Sequence, residues 1–221
     1  MPSLIYGFGV TGKSFQRYLE IKGEEFEIYD TLHSDALKIA SKIEDGFYKN
    51  IYVSPSVPKK KFKNLKKYST VFTDMDIFFN EDNSIKIGIT GTNKKSTTCY
   101  HLMQLLEEKY STNLVGNIGK PVLDVLNNGK KYSIIELSSF QLDKVSNVDL
   151  DYGILLNIDS DHLDYHKTFK DYLNSKLILF RELLNNKGNI IFEKSCKRFG
   201  IKGSTSSKTN CINKTRRESR T

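Results

Sequence analysis

The chain has 221 residues, enough for one large domain or two modest ones, and its 38% hydrophobic and 11% aromatic content can fill a packed core. No run of 18 apolar residues occurs, so no membrane span is expected, and the opening "MPSLIYGFGVTGKS" lacks the basic and apolar regions of a secretory signal. The formal charge of +8 resides in the last 28 residues; residues 1–193 hold equal numbers of basic and acidic side chains, which argues against a nucleic-acid-binding face.

In chain order, "SLIYGFGVTGKSFQRYLEIKG" reads as a strand, a glycine turn and an amphipathic helix stopped at Gly23. "EFEIYD" follows as a second strand ending in Asp30, which completes a Rossmann-type unit. Gly7, Gly9 and Gly12 have the G-x-G-x-x-G spacing that lets backbone approach an anion at a helix N-terminus, a partial fingerprint that equally fits a tight structural turn. A helix around 34–44 and short strands in "NIYVSPS" and "STVFTDM" complete the first layer. The polar run "NEDNS" at 80–84 marks a boundary.

The second unit opens with "IKIGIT", a buried-type strand, then the loop "GTNKKSTT" and a helix over about 96–109. Gly91, Thr92, Asn93, Lys94, Lys95, Ser96 and Thr97 supply the later half of a phosphate-gripping loop: backbone N–H groups for phosphate oxygens, a lysine for their charge, a hydroxyl for Mg²⁺. Lys94 stands where such loops carry glycine, which tolerates positive φ and leaves room for a ligand. Strands in "YSIIELSSF", "DYGILLNI" and "KGNIIFE", with a helix over 168–184, predict a parallel sheet whose C-terminal strand ends gather the active groups. Glu136 and His162 fall at such ends, and Lys176 lies inside the helix; singly each is compatible with an ordinary structural role. The predicted fold is α/β, a Rossmann-like N-terminal domain (1–84) followed by part of a P-loop ATPase-type domain (85–193). Composition beyond 193, rich in Ser, Thr and basic residues without periodicity, predicts a disordered tail over 194–221. Cys99, Cys196 and Cys211 lack metal-ligand spacing and read as reduced thiols of a cytoplasmic protein.

The ordered set "GFGVTGKS", "YDT", "VSPSVP", "GITGTNKKSTT", "GNIGKP", "IIELSSFQL", "NIDSDHLDYH" and "YLNSKLILF" resembles the Mur ligases, ATP-dependent amide-forming enzymes of cell-wall precursor synthesis. Within that family the resemblance is to the branch that joins D-glutamate to UDP-N-acetylmuramoyl-L-alanine. It implies that Val10, Thr11, Asp30 and Thr31 hold the uridine end of the sugar nucleotide, with Ser54, Pro55 and Ser56 nearby, and that Asn117 and Ser138 touch its remainder. It further implies that residues 91–97 bind ATP, Lys95 meeting the phosphates and Ser96 the Mg²⁺, and that Glu136, His162 and a carbamylated Lys176 are metal ligands. A monomer is expected. Ser56 and Lys94 replace glycines of the family pattern, and the match ends partway through the central domain, so the chain alone is expected to be inactive. Other amide ligases of the superfamily, folylpolyglutamate synthase among them, and a non-catalytic nucleotide-binding remnant are the alternatives; the N-terminal "GFGVTG" and "YDT" favour a Mur-type nucleotide-sugar domain.

Overall fold

The computed structural model describes residues 1–30, 36–185, 189–199 and 210–211. Its first layer is built from β1 (Ser3–Tyr6), α1 (Val10–Lys22), β2 (Phe26–Tyr29), α2 (Ala36–Glu44), β3 (Asn50–Val53), α3 (Lys59–Leu65), β4 (Thr70–Phe72) and α4 (Asp74–Glu81). The four strands form a parallel sheet in the order β2-β1-β3-β4. Helix α1 ends at Gly23 in the left-handed region, as the sequence predicts, and the glycine N–H caps the carbonyls of Leu19 and Glu20. Gly12 is required for a different reason: a Cβ there would lie 2.3 Å from the Gly7 carbonyl, so only glycine lets α1 seat against the preceding turn.

The second layer comprises β5 (Ile85–Thr90), α5 (Lys95–Glu107), β6 (Thr112–Gly116), β7 (Tyr132–Glu136), α6 (Ser139–Leu142), β8 (Tyr152–Leu155), α7 (Leu163–His166), α8 (Phe169–Asn185), β9 (Asn189–Phe192) and β10 (Asn210–Cys211). Its sheet is parallel throughout, ordered β10-β9-β8-β5-β7-β6. Helix α5 covers one face, where Leu102, Met103 and Leu106 pack against Ile87, Ile89 and Ile134. The other face carries α8 through Leu179 and Leu183, in an apolar cluster that continues into the first layer through Phe15, Leu19, Met75 and Phe78. Of three apolar clusters among the described residues, this one runs through both layers; a second is confined to the first layer and the third to the α5 face. At its edge the Asp124 carboxylate accepts from Ser14 Oγ at 2.8 Å and from the Arg17 guanidinium at 2.6 Å.

The strands and helices read in the sequence are all present, and the structure adds α3, α4, β6, the short helices α6 and α7, and β10. Helix α4 runs through the start of the polar stretch taken as a boundary; Thr73 and Asp76 close a reciprocal capping box at its N-terminus. In the stretch predicted to be a disordered tail, residues 194–199 form a 3₁₀ turn that buries Cys196, and Asn210–Cys211 pair with β9. The rest of that stretch lies outside the described residues, as does Thr31.

Candidate active site

The loop joining β5 to α5 is held from beside and beneath. Thr92 N–H donates to the Asn157 carbonyl at 3.0 Å; the Asn157 side chain then brackets Asn93, accepting from its N–H at 2.7 Å and donating to its carbonyl at 3.0 Å. Lys94 closes the loop at φ 64°, the left-handed conformation that a glycine would adopt without cost, and its side chain is exposed. Lys95 opens α5, with Nζ donating to the carbonyls of Gly91 at 3.0 Å and Thr92 at 2.9 Å. This folds the ammonium back onto the loop carbonyls.

Neighbouring strands bring in the remaining groups. Strand β7 lies beside β5 with Glu136 opposite Ile89, which places the carboxylate at the strand tip, 1% exposed. One oxygen accepts from Ser96 Oγ at 2.7 Å and the other from Asn117 Nδ2 at 2.8 Å. Gly116 makes this approach possible: it adopts φ 101°, and a Cβ there would sit 2.4 Å from the Glu136 carbonyl oxygen. From the opposite side α8 delivers Lys176, 1% exposed, whose Nζ donates to the Gly91 carbonyl at 2.9 Å and approaches Thr90 Oγ1 at 3.4 Å. Burial, reinforced by the charge of Lys95, pulls the Lys176 ammonium down to about 7. Tyr172, one turn earlier, places its ring 4.8 Å from that nitrogen and its hydroxyl 2.8 Å from Thr92 Oγ1.

His162 stands further out. It caps α7 at φ 50°, with its ring 4.9 Å from Phe140 and 6.3 Å from Tyr172, and Nε2 is 3.5 Å from Asp161. The structure thus brings Lys95, Ser96, Glu136 and Lys176 together around one loop, with His162 on the rim beside Tyr172. Among the described residues no three His, Cys, Asp or Glu side chains cluster as a metal site. The donor set here is instead a buried carboxylate hydrogen-bonded to a hydroxyl. Two hard oxygens that leave the remaining positions to water and phosphate suit Mg²⁺.

A cavity of about 610 Å³ opens between the layers and meets this site through Asn117, which lines the cavity and holds Glu136. Val10, Thr11, the Ser54–Ser56 segment, Asn117 and Ser138 line it. Ser54 is anchored through Oγ to the Gly7 carbonyl at 2.7 Å, and Ser138 through a capping box with Gln141. Asp30 belongs to an adjoining cavity of about 360 Å³, which shares Gly9, Ser56 and Pro58 with the larger one. The Asp30 carboxylate accepts from Phe8 N–H at 3.1 Å, and Lys61 enters the same space with its ammonium 5.4 Å from the Tyr6 ring. The Ser56 backbone is not at positive φ, so the glycine it replaces is not needed for backbone conformation. Asn157, Tyr172 and Lys61 escaped the reading of the residues. Asn157 alone left a signal, a polar residue just past the apolar strand "GILL".

A match to the Mur ligase middle domain spans residues 89–218. The chain belongs to the Mur ligase family. Among curated relatives, a UDP-N-acetylmuramoylalanine–D-glutamate ligase from Teredinibacter turnerae is 34% identical over 196 residues, covering 78% of this chain and 43% of the relative. The ligase of the same name from Francisella philomiragia is 35% identical over 183 residues, covering 80% and 43%. The chain therefore spans less than half the length of these relatives. The solved structure of a UDP-N-acetylmuramoyl-L-alanyl-D-glutamate–2,6-diaminopimelate ligase superposes with a TM-score of 0.52 at 17% identity, over 73% of this chain and 45% of that one, and so shares the fold. Among the described residues of this family member no helix is long and apolar enough to cross a membrane.

Proposed function

We propose that this chain supplies the sugar-nucleotide and ATP sites of a cytoplasmic ligase that joins D-glutamate to UDP-N-acetylmuramoyl-L-alanine. The observation that carries the reading is the convergence of Lys95, Ser96, Glu136 and Lys176 on one loop beside a cavity large enough for a sugar nucleotide. The names of the relatives supply the substrates.

In this reading the substrate carboxylate attacks the γ-phosphorus of ATP, giving an acyl phosphate and ADP. The amine of D-glutamate then displaces phosphate to form the amide. Lys95 and the backbone N–H groups at the start of α5 hold the triphosphate and meet the charge that builds as two anions approach. Ser96 and Glu136 would hold Mg²⁺, with His162 and Lys176 further out; once bound, the ion would neutralise phosphate oxygens. With its ammonium drawn to about 7, Lys176 is substantially the free amine at neutral pH, the form that adds CO₂ to give a carbamate. Val10, Thr11, Thr31 and Asp30 would take the uridine end, Ser54–Ser56 its surroundings, and Asn117 and Ser138 the diphosphate and sugar.

Calorimetric titration tests this. A non-hydrolysable ATP analogue should bind only with Mg²⁺, and Lys95→Ala should weaken it by about two orders of magnitude, as loss of a charged phosphate contact implies. UDP-N-acetylmuramoyl-L-alanine should bind independently of that substitution. If neither ligand binds the wild-type chain, the assignment falls.

A further inference from the structure

Two residues just past α6 cross between the layers at the back of the cleft. Lys144 is 2% exposed, and its Nζ donates to the Pro55 carbonyl, 89 residues away. Asp143 accepts from Lys59 Nζ, the first residue of α3, at 2.5 Å and from the Tyr165 hydroxyl at 3.4 Å. Each link ends on the cavity wall or next to it, since Pro55, Pro58 and Tyr165 all line the 610 Å³ space.

An apolar side chain would fill the position of Lys144 without the cost of taking an ammonium out of water. That cost is real here, because burial draws the group down to about 8 although Asp143 pulls it the other way. What an apolar residue could not do is hold the Pro55 carbonyl. Attachment of one layer to the other does not depend on this link, since the apolar core and the Asp124 contacts with Ser14 and Arg17 join the layers elsewhere. Ser54 is tied to the turn after β1 through the Gly7 carbonyl, Val57 is buried in the first layer with its N–H on the Ser54 carbonyl, and the Pro58 carbonyl accepts from Lys61 and Phe62; Lys144 adds to these a hold on the Pro55 carbonyl that comes from the other layer.

We infer that Asp143 and Lys144 form a clasp that pins the Pro55–Pro58 segment and the start of α3 against the central layer, and that they are thereby positioning residues for the sugar nucleotide. The ligand in this inference rests on the proposed function; the clasp rests on the contacts alone. Hydrogen exchange of the chain followed by mass spectrometry separates the two. In Lys144→Met, peptides covering 54–62 should exchange about tenfold faster, the scale of one lost charged hydrogen bond, with β1 and β5 unchanged. UDP affinity, measured calorimetrically, should fall by about the same factor, and Lys144→Arg should recover most of it. Unchanged exchange over 54–62 overturns the clasp, and so does wild-type UDP affinity in Lys144→Met. If exchange rises as expected but wild-type protein does not bind UDP, the clasp stands and the sugar-nucleotide reading of the cleft falls. Should Lys144→Met exchange everywhere, Asp143→Asn, which removes the charge facing Lys59, applies the same local test.

Discussion

At Lys94 the loop carries a backbone strain that its side chain does nothing to relieve. A non-glycine residue in the left-handed region costs about 1–2 kcal/mol, and glycine returns part of that through its looser unfolded chain. Lys94→Gly should therefore stabilise the fold by at most about 1 kcal/mol, measured by urea denaturation, while Lys94→Ala should not. Lys176 makes a larger and pH-dependent claim. Its folded value of about 7 lies below the ordinary 10.5, so the unfolded chain binds the extra proton between those limits. The stability associated with the neutral amine is complete above 10.5 and is lost as pH falls towards about 7. In CO₂-free buffer the wild type should gain stability as pH rises from 7 to 9. Lys176→Met should have a shallower slope, keeping only the part that Lys144 contributes above about 8, and be more stable at pH 7 by an amount on the order of 3–5 kcal/mol. Parallel slopes in the two proteins would show that the amine is solvated.

Helix α4 shows the same physics with the opposite sign. Asp74, in its first turn, is 5% exposed, and Oδ1 has no hydrogen-bond partner among the described residues. Burial raises its carboxyl from 3.8 to about 6, against the pull of the backbone N–H groups of Met75 and Asp74 itself. A raised carboxyl contributes stability fully below 3.8 and loses it as pH rises through about 6. Asp74→Asn should flatten the fall in stability between pH 4 and 7, adding roughly 2–3 kcal/mol at pH 7.5 by chemical denaturation. The helix was legible in principle: "TDMD" is a capping-box pattern, but the polar run that follows it reads more strongly as a boundary. Helix α3 was harder, since Phe62 and Leu65 are its buried residues and the lysines around them mask the period. Strand β6 hides behind a buried Asn113, satisfied by a reciprocal pair with Asn128 that no local pattern announces. Local rules found the loop and the strand tips that carry Glu136 and Lys95. The contacts that complete the site, Asn157 around Asn93 and Asn117 on Glu136, join residues 64 and 19 positions apart and emerge only once the strands are ordered.

Across the described residues, an apolar cluster shared by both layers sets the behaviour. Phe15 and Leu19 of the first layer share one apolar cluster with Ile135 and Leu142 of the second, so melting either layer exposes the face of the other. Thermal unfolding should follow one transition, coincident by circular dichroism and tyrosine fluorescence. Asp124→Ala bears directly on this coupling: it strands the buried Ser14 hydroxyl and releases Arg17, an expected cost of about 1–3 kcal/mol. Because the core bridges the layers, that loss should lower the single midpoint rather than split it; two separated transitions would mean that the layers fold as independent units. The same continuity bears on turnover. With both proposed nucleotide sites built on layers that share this cluster, the chain should bind ATP and the sugar nucleotide together. The chain spans 43% of the relatives' length. Incubation with both substrates, D-glutamate and Mg²⁺ should give no steady phosphate release over hours. Steady release abolished by Lys95→Ala would show that these residues suffice to form the acyl phosphate and to pass it on.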